Sequence, residues 1–171
     1  MKSSRLTFAI ATSFALVLAG CGKSPSQSAA EMAVAAASGG KVQISKSGDQ
    51  SQVTIKTDQG EMKVNSGDNV PLPKDFPGDV HLPASYTIKS AMQVGPSMVL
   101  EMHTPTAMQA IYSDYDSSMK SGGWTEAMAM QTSDKEALLN FQKDKRNVVV
   151  SIHASDEGGS DVHVQSTSGQ Q

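Results

Sequence analysis

The sequence predicts an α+β fold: an antiparallel sheet with one main amphipathic helix packed on it, plus an N-terminal β-meander. Three observations lead there. From Lys41 onward apolar residues repeatedly alternate with polar ones, the period of a half-buried strand. A single stretch, residues 105–121, carries the 3.6-residue period of a helix instead. The joins between these stretches are short and rich in Gly, Asp, Asn and Pro, as hairpins require.

The chain opens on Lys2 and Arg5, then an apolar run from Leu6 to Leu18 interrupted by Thr7, Thr12 and Ser13. A positive start, a short apolar run and small residues are the parts of a secretory leader, predicted over residues 1–20. The run falls short of the ~20 apolar residues needed to cross a bilayer. Its end, Leu18-Ala19-Gly20-Cys21, resembles the lipobox of bacterial lipoproteins. The resemblance covers this segment alone and implies cleavage between Gly20 and Cys21. It further implies a diacylglycerol on the Cys21 thiol and a third acyl chain (typically palmitate) on the new amino group. Several acyl chains give stable anchoring where one is marginal. With Gly22 rather than Asp after the cysteine, the resemblance implies the outer membrane, facing the periplasm.

Residues 21–40 read as the lipidated terminus and a flexible tether: small and polar to Ser26, then Ala-rich up to Gly39-Gly40. Ser28 and Glu31 have capping-box spacing before an Ala-rich run, too short for a lasting helix without packing partners. Residues 41–70 form the meander. Val42 and Ile44, Val53 and Ile55, and Met62 and Val64 alternate with polar residues, with turns at Ser47-Gly48-Asp49 and Asp58-Gln59-Gly60. Three such strands are near the minimum for independent stability, so the meander either stands as a small unit or extends the main sheet. Residues 71–85 are a proline-rich connector, too proline-dense for helix or central strand, with Val70, Leu72, Phe76, Val80 and Leu82 to pin it down.

Residues 86–171 make the main α+β domain. Tyr86–Gln93 and Ser97–Thr104 form a hairpin about Val94-Gly95-Pro96. Thr104 is the expected helix N-cap, with Pro105 at the first helical position. Met108, Ile111, Tyr112, Tyr115 and Met119 lie on one stripe, and Gly122-Gly123 stop the helix. Trp124 follows, placed to lock the helix end onto the sheet. Four strands are then expected, over 124–130, 137–142, 148–154 and 162–166.

Composition excludes several functions. The leader takes two of the 14 basic residues, leaving 12 against 17 acidic in the remainder. That balance argues against nucleic-acid binding, which needs basic patches. Cys21 is the sole cysteine, so no intrachain disulfide and no free thiol serve the domain. No Gly-x-Ser-x-Gly turn or phosphate-binding glycine loop occurs, and Asp114 and Asp116 read as solvated helix residues. No cofactor and no catalytic residues are expected.

Two constellations suggest metal. In the last hairpin the alternation turns His153 and His163 away from the core, in an even register that sets them directly opposite or diagonal. With Asp161 or Asp156 nearby they could hold zinc or copper. The ten methionines include Met98 with Met102 and Met128 with Met130, whose thioethers suit Cu(I) as well as they fill a core poor in aromatics. His81 and His103 have no partner in sequence. The expected function is a membrane-anchored periplasmic lipoprotein with a non-catalytic binding or structural role in the envelope. Its partner would be an envelope protein or cell-wall glycan, and a periplasmic metal-binding protein is the alternative.

Overall fold

A computed structural model describes residues 41–57 and 60–169. The leader, the lipobox with Gly20 and Cys21, and the tether up to Gly40 lie outside the described residues. The strands are β1 (Lys41–Ser47), β2 (Gln50–Thr57), β3 (Gly60–Ser66), β4 (Thr87–Val94), β5 (Ser97–Thr104), β6 (Thr125–Gln131), β7 (Glu136–Lys143), β8 (Arg146–Ala154) and β9 (Ser160–Ser168). One helix, α1 (Met108–Ser121), separates β5 from β6.

The α+β expectation is overturned. All nine strands join one antiparallel sheet in the order β1-β2-β3-β4-β5-β9-β8-β7-β6, with a single helix among the described residues. The fold is sheet-dominated because β3 pairs with β4, Met62 opposite Val94, so the meander continues the main sheet. The helix packs mainly over β6, β7 and β8, at one end of that sheet. Strand pairing, not helix-on-sheet packing, holds the rest.

The helix carries the chain from β5 to the far edge, and β6 to β9 return until β9 pairs with β5. Its buried stripe is Met108, Ile111, Tyr115 and Met119, as the spacing predicted. Its start differs from expectation. Thr104 is the last residue of β5, opposite Ser160, and so cannot serve as N-cap; Ala107 takes that position without a side-chain cap. The Thr104 hydroxyl instead accepts a hydrogen bond from the Thr106 backbone N–H at 3.3 Å, turning the chain toward the helix.

The core lies between the helix and the face of the sheet formed by Leu100, Leu139, Phe141, Val148, Val150, Ile152, Val162 and Val164, none of them exposed. Met98 and Met102 belong to this core, so their thioethers are spent on packing. Residues 67–86 form a strap along the same face. Val70, Phe76 and Val80 are buried against it and Leu82 partly so, while Leu72 stays exposed.

A polar clasp fixes the strap. The Trp124 indole N–H donates to the Asp79 carbonyl at 3.0 Å, and Trp124 is itself buried. The Arg146 guanidinium donates to both Asp79 carboxylate oxygens at 2.6 and 2.7 Å and lies 4.8 Å over the Trp124 ring. Lys143 adds a third contact to the carboxylate at 3.1 Å. These cations outweigh partial burial and hold the Asp79 carboxyl well below the usual carboxylate range. Helix termination, strap and sheet thereby meet at one indole.

Candidate functional site

The site begins with a change of polarity across the sheet. On β4 to β9 the buried apolar set faces the helix and strap, through Ala91, Leu100, Val164, Val150 and Leu139. On β1 to β3 they face the other way. The register decides this. Val64 pairs with Met92, and Met92 pairs with Val99, while Ala91 and Leu100 are the residues that point into the core. The helix-side positions of the meander are polar instead: Gln43, Thr54, Lys63 and Gln93 form one such row.

The opposite face therefore carries two apolar rows running across strands. One is Ile44, Val53, Val64, Met92 and Val99. The other is Val42, Ile55, Met62 and Val94, closing at Ser97. Most of these are half-buried by their neighbours; Ile55 is buried and Val94 is 46% exposed. The meander's element contacts are its strand pairings, β1 with β2, β2 with β3 and β3 with β4, and among the described helix and strands nothing comparable covers this face. A contiguous apolar surface of this kind is a mark of an interaction site.

Further along, the same face becomes polar. The first row continues through Gln165, Val149 and Asn140 to Met128, and a third runs from Lys46 through Ser51, Ser66, Ser90, Glu101, His163, Ser151 and Leu138 to Met130. Met128 and Met130 are exposed on the edge strand β6. A depression of about 360 Å³ lies between, lined by Val99, Val149, Ser151, His153, His163 and Gln165.

The two predicted histidines meet on this polar end. His153 sits opposite Asp161 and His163 opposite Ser151, so the pair is diagonal, with ring centroids 6.1 Å apart and edge to face. Asp161 turns to β5: its carboxylate is 2.9 Å from His103 Nδ1. Burial pushes this carboxyl up, but hydrogen bonds from His103 and Ser155, with the nearby His163, bring it net below its ordinary value. His103, which had no visible partner in sequence, thus takes the acid that His153 or His163 would need. Among the described residues no three His, Cys, Asp or Glu side chains converge as a metal would require.

His81 likewise has a partner that sequence spacing did not reveal. Its Nε2 lies 2.8 Å from the Asp114 carboxylate, its backbone N–H donates to the Met119 sulfur, and its ring meets Tyr115 edge-on at 5.2 Å. Asp114 and Asp116 are therefore bonded rather than merely solvated, the latter to Lys120 one turn on. Asp79 was missed altogether. The available signal was Arg146, the only arginine beyond the leader, placed where a strand begins.

Comparison with protein-family models, with curated proteins and with solved structures finds no match for this chain.

Proposed function

We propose that this protein is a lipid-anchored envelope lipoprotein with a non-catalytic role, docking through the apolar face of β1 to β5. The supporting observation is the polarity change: a regular, well-paired meander spends its apolar side chains on the face that the helix and strap do not reach. Uncovered Ile, Val and Met cost about 25 cal/mol per Å² relative to burial, so such a face is expected to be covered in the working state. The lipobox ending at Cys21 supplies the anchor, and the tether to Gly40 leads straight into β1, so the docking strands are those nearest the membrane along the chain. At full extension about 20 residues reach roughly 70 Å, ample for a partner held on or near the same membrane.

The outer membrane's periplasmic face is the compartment this reading carries, with an envelope protein or glycan as partner. Apolar rows of half-buried strands fit a protein surface better than a polyhydroxylated glycan. The test places a photoreactive side chain at Val64, on the docking face, or at Lys63, on the reverse of the same strand, in the intact anchored chain. Adducts confined to the Val64 position support the reading. Equal yields from both positions, or none from either, would sink it.

A further inference from the structure

Resting on that docking reading, we propose that the occupant of the apolar face is a second copy of this chain, related by a two-fold axis that runs along β3. The face is self-complementary about such an axis. Strands sit ~4.8 Å apart, so rotation about an axis parallel to β3 and midway between the two faces exchanges β1 with β5 and β2 with β4 while keeping each row on itself. Val64 then meets Val64 and Met62 meets Met62 of the second copy. Ile44 meets Val99, Val53 meets Met92, and Ile55 meets Val94.

The charges on the flanking row provide the independent argument. Across β1 to β5 that row reads Lys46, Ser51, Ser66, Ser90, Glu101: opposite charges at its two ends and three serines between. Both charged residues are exposed, and neither has an ion-pair partner among the described residues. Within one copy they stand four strand spacings apart, roughly 19 Å, too far to meet. The same two-fold that superposes the apolar rows sets Lys46 over Glu101 of the second copy, twice. A face meant for an anionic or cationic partner would carry one sign; this one carries both, placed for itself.

The size indicates a weak, reversible dimer. Five strands by about five residues give a footprint of roughly 400 Å² per copy, about 800 Å² in all. That is below the ~1,000 Å² of a standard specific interface and in the range of weak, transient ones. Two such faces stack about 10 Å apart as an aligned sandwich, and confinement of both copies to one membrane raises their encounter rate.

The test uses the full chain in membranes and in detergent. Val64→Cys should be joined into a homodimer by a short thiol-to-thiol cross-linker, because faces about 10 Å apart are too distant for a direct disulfide, while Lys63→Cys stays at the background set by the parent chain with its sole Cys21. In sedimentation of the detergent-solubilised chain, Lys46→Glu should weaken dimerisation at least tenfold, and adding Glu101→Lys should restore it. Equal cross-linking of the two faces, or no recovery in the charge-swapped double variant, overturns the dimer. If Val64→Cys gives no homodimer while a photoreactive group there captures a different molecule, the docking reading survives and the dimer falls. If neither yields an adduct, both fall.

Discussion

Replacing Asp79 by Asn isolates the charge that closes the strap. The indole bond to the Asp79 backbone carbonyl is left in place, so only the carboxylate's partners are lost. That carboxylate receives two short N–H bonds from Arg146, at 2.6 and 2.7 Å, and one from Lys143 at 3.1 Å. Charge-assisted bonds of this geometry are worth about 1.5–3 kcal/mol when shielded, and exposed pairs only about 0.2–1 kcal/mol. Asp79 and Arg146 are 37% and 25% exposed, between those limits. The expected loss is about 1–2 kcal/mol at pH 7, or roughly 3–8 °C in Tm. Because the folded carboxyl is held below its ordinary value, its contribution is complete above the unfolded pKa of about 4 and erodes as pH falls below that, by up to ~1.4 kcal/mol per pH unit. Urea unfolding of parent and Asp79→Asn chains at pH 7, 5 and 3 reads this directly. The gap should be equal at pH 7 and 5 and narrower by about 1 kcal/mol at pH 3, closing further as pH drops toward the lowered folded value. A gap as large at pH 3 as at pH 7, or none at pH 7, would refute the clasp as an electrostatic device.

Other substitutions probe the remaining parts. Gly159 has φ +77 and a Cβ there would collide with the Thr104 carbonyl and Pro105, so Gly159→Ala should cost about 2–4 kcal/mol in chemical denaturation; neighbouring Gly158, φ +90 with open space, should cost only about 1 kcal/mol. Asp161→Asn removes the carboxylate charge beside His103 at a partly exposed site and should cost no more than about 1 kcal/mol. That carboxyl too is lowered in the fold, so the difference should be present at pH 7 and shrink below pH ~4 in the same denaturation assay. Cys21→Ser should move the chain from the membrane to the soluble fraction and abolish incorporation of labelled palmitate; retention of either contradicts the lipid anchor.

Much of the local structure was legible. The helix stripe from Met108 to Met119, its glycine stop and the strands on either side follow from spacing alone. What alternation cannot report is which face of a shared sheet a strand's apolar set will occupy. Val53 and Ile55 announce a half-buried strand equally well on either side, and only the Val64–Met92 pairing places them away from the core. The structure departs from the α+β expectation for the same reason: the β3–β4 pairing joins the meander to the sheet, and no local pattern encodes it. Thr104 had the right chemistry for a cap, but its pairing with Ser160 in the ladder took precedence. The histidine pair was framed correctly as direct or diagonal, and the Ile152–Val162 register selects the diagonal. Asp161 was visible as a neighbour of His163, yet its bond to His103 depends on β9 lying between β8 and β5.

On the docking reading, the apolar face of β1 to β5 is covered where the protein works. Methionine oxidation footprinting tests it in place, because thioethers react according to their exposure and this chain has them on every relevant surface. Met62 and Met92 lie on the apolar face of β1 to β5, Met128 and Met130 on the open edge, and Met98, Met102 and Met119 in the core. Between dilute, detergent-dispersed chain and intact envelopes, Met62 and Met92 are expected to become protected in the envelopes. Met128 and Met130 should oxidise readily in both, and the core methionines in neither. Oxidation of Met62 and Met92 at the same rate in both states would contradict it.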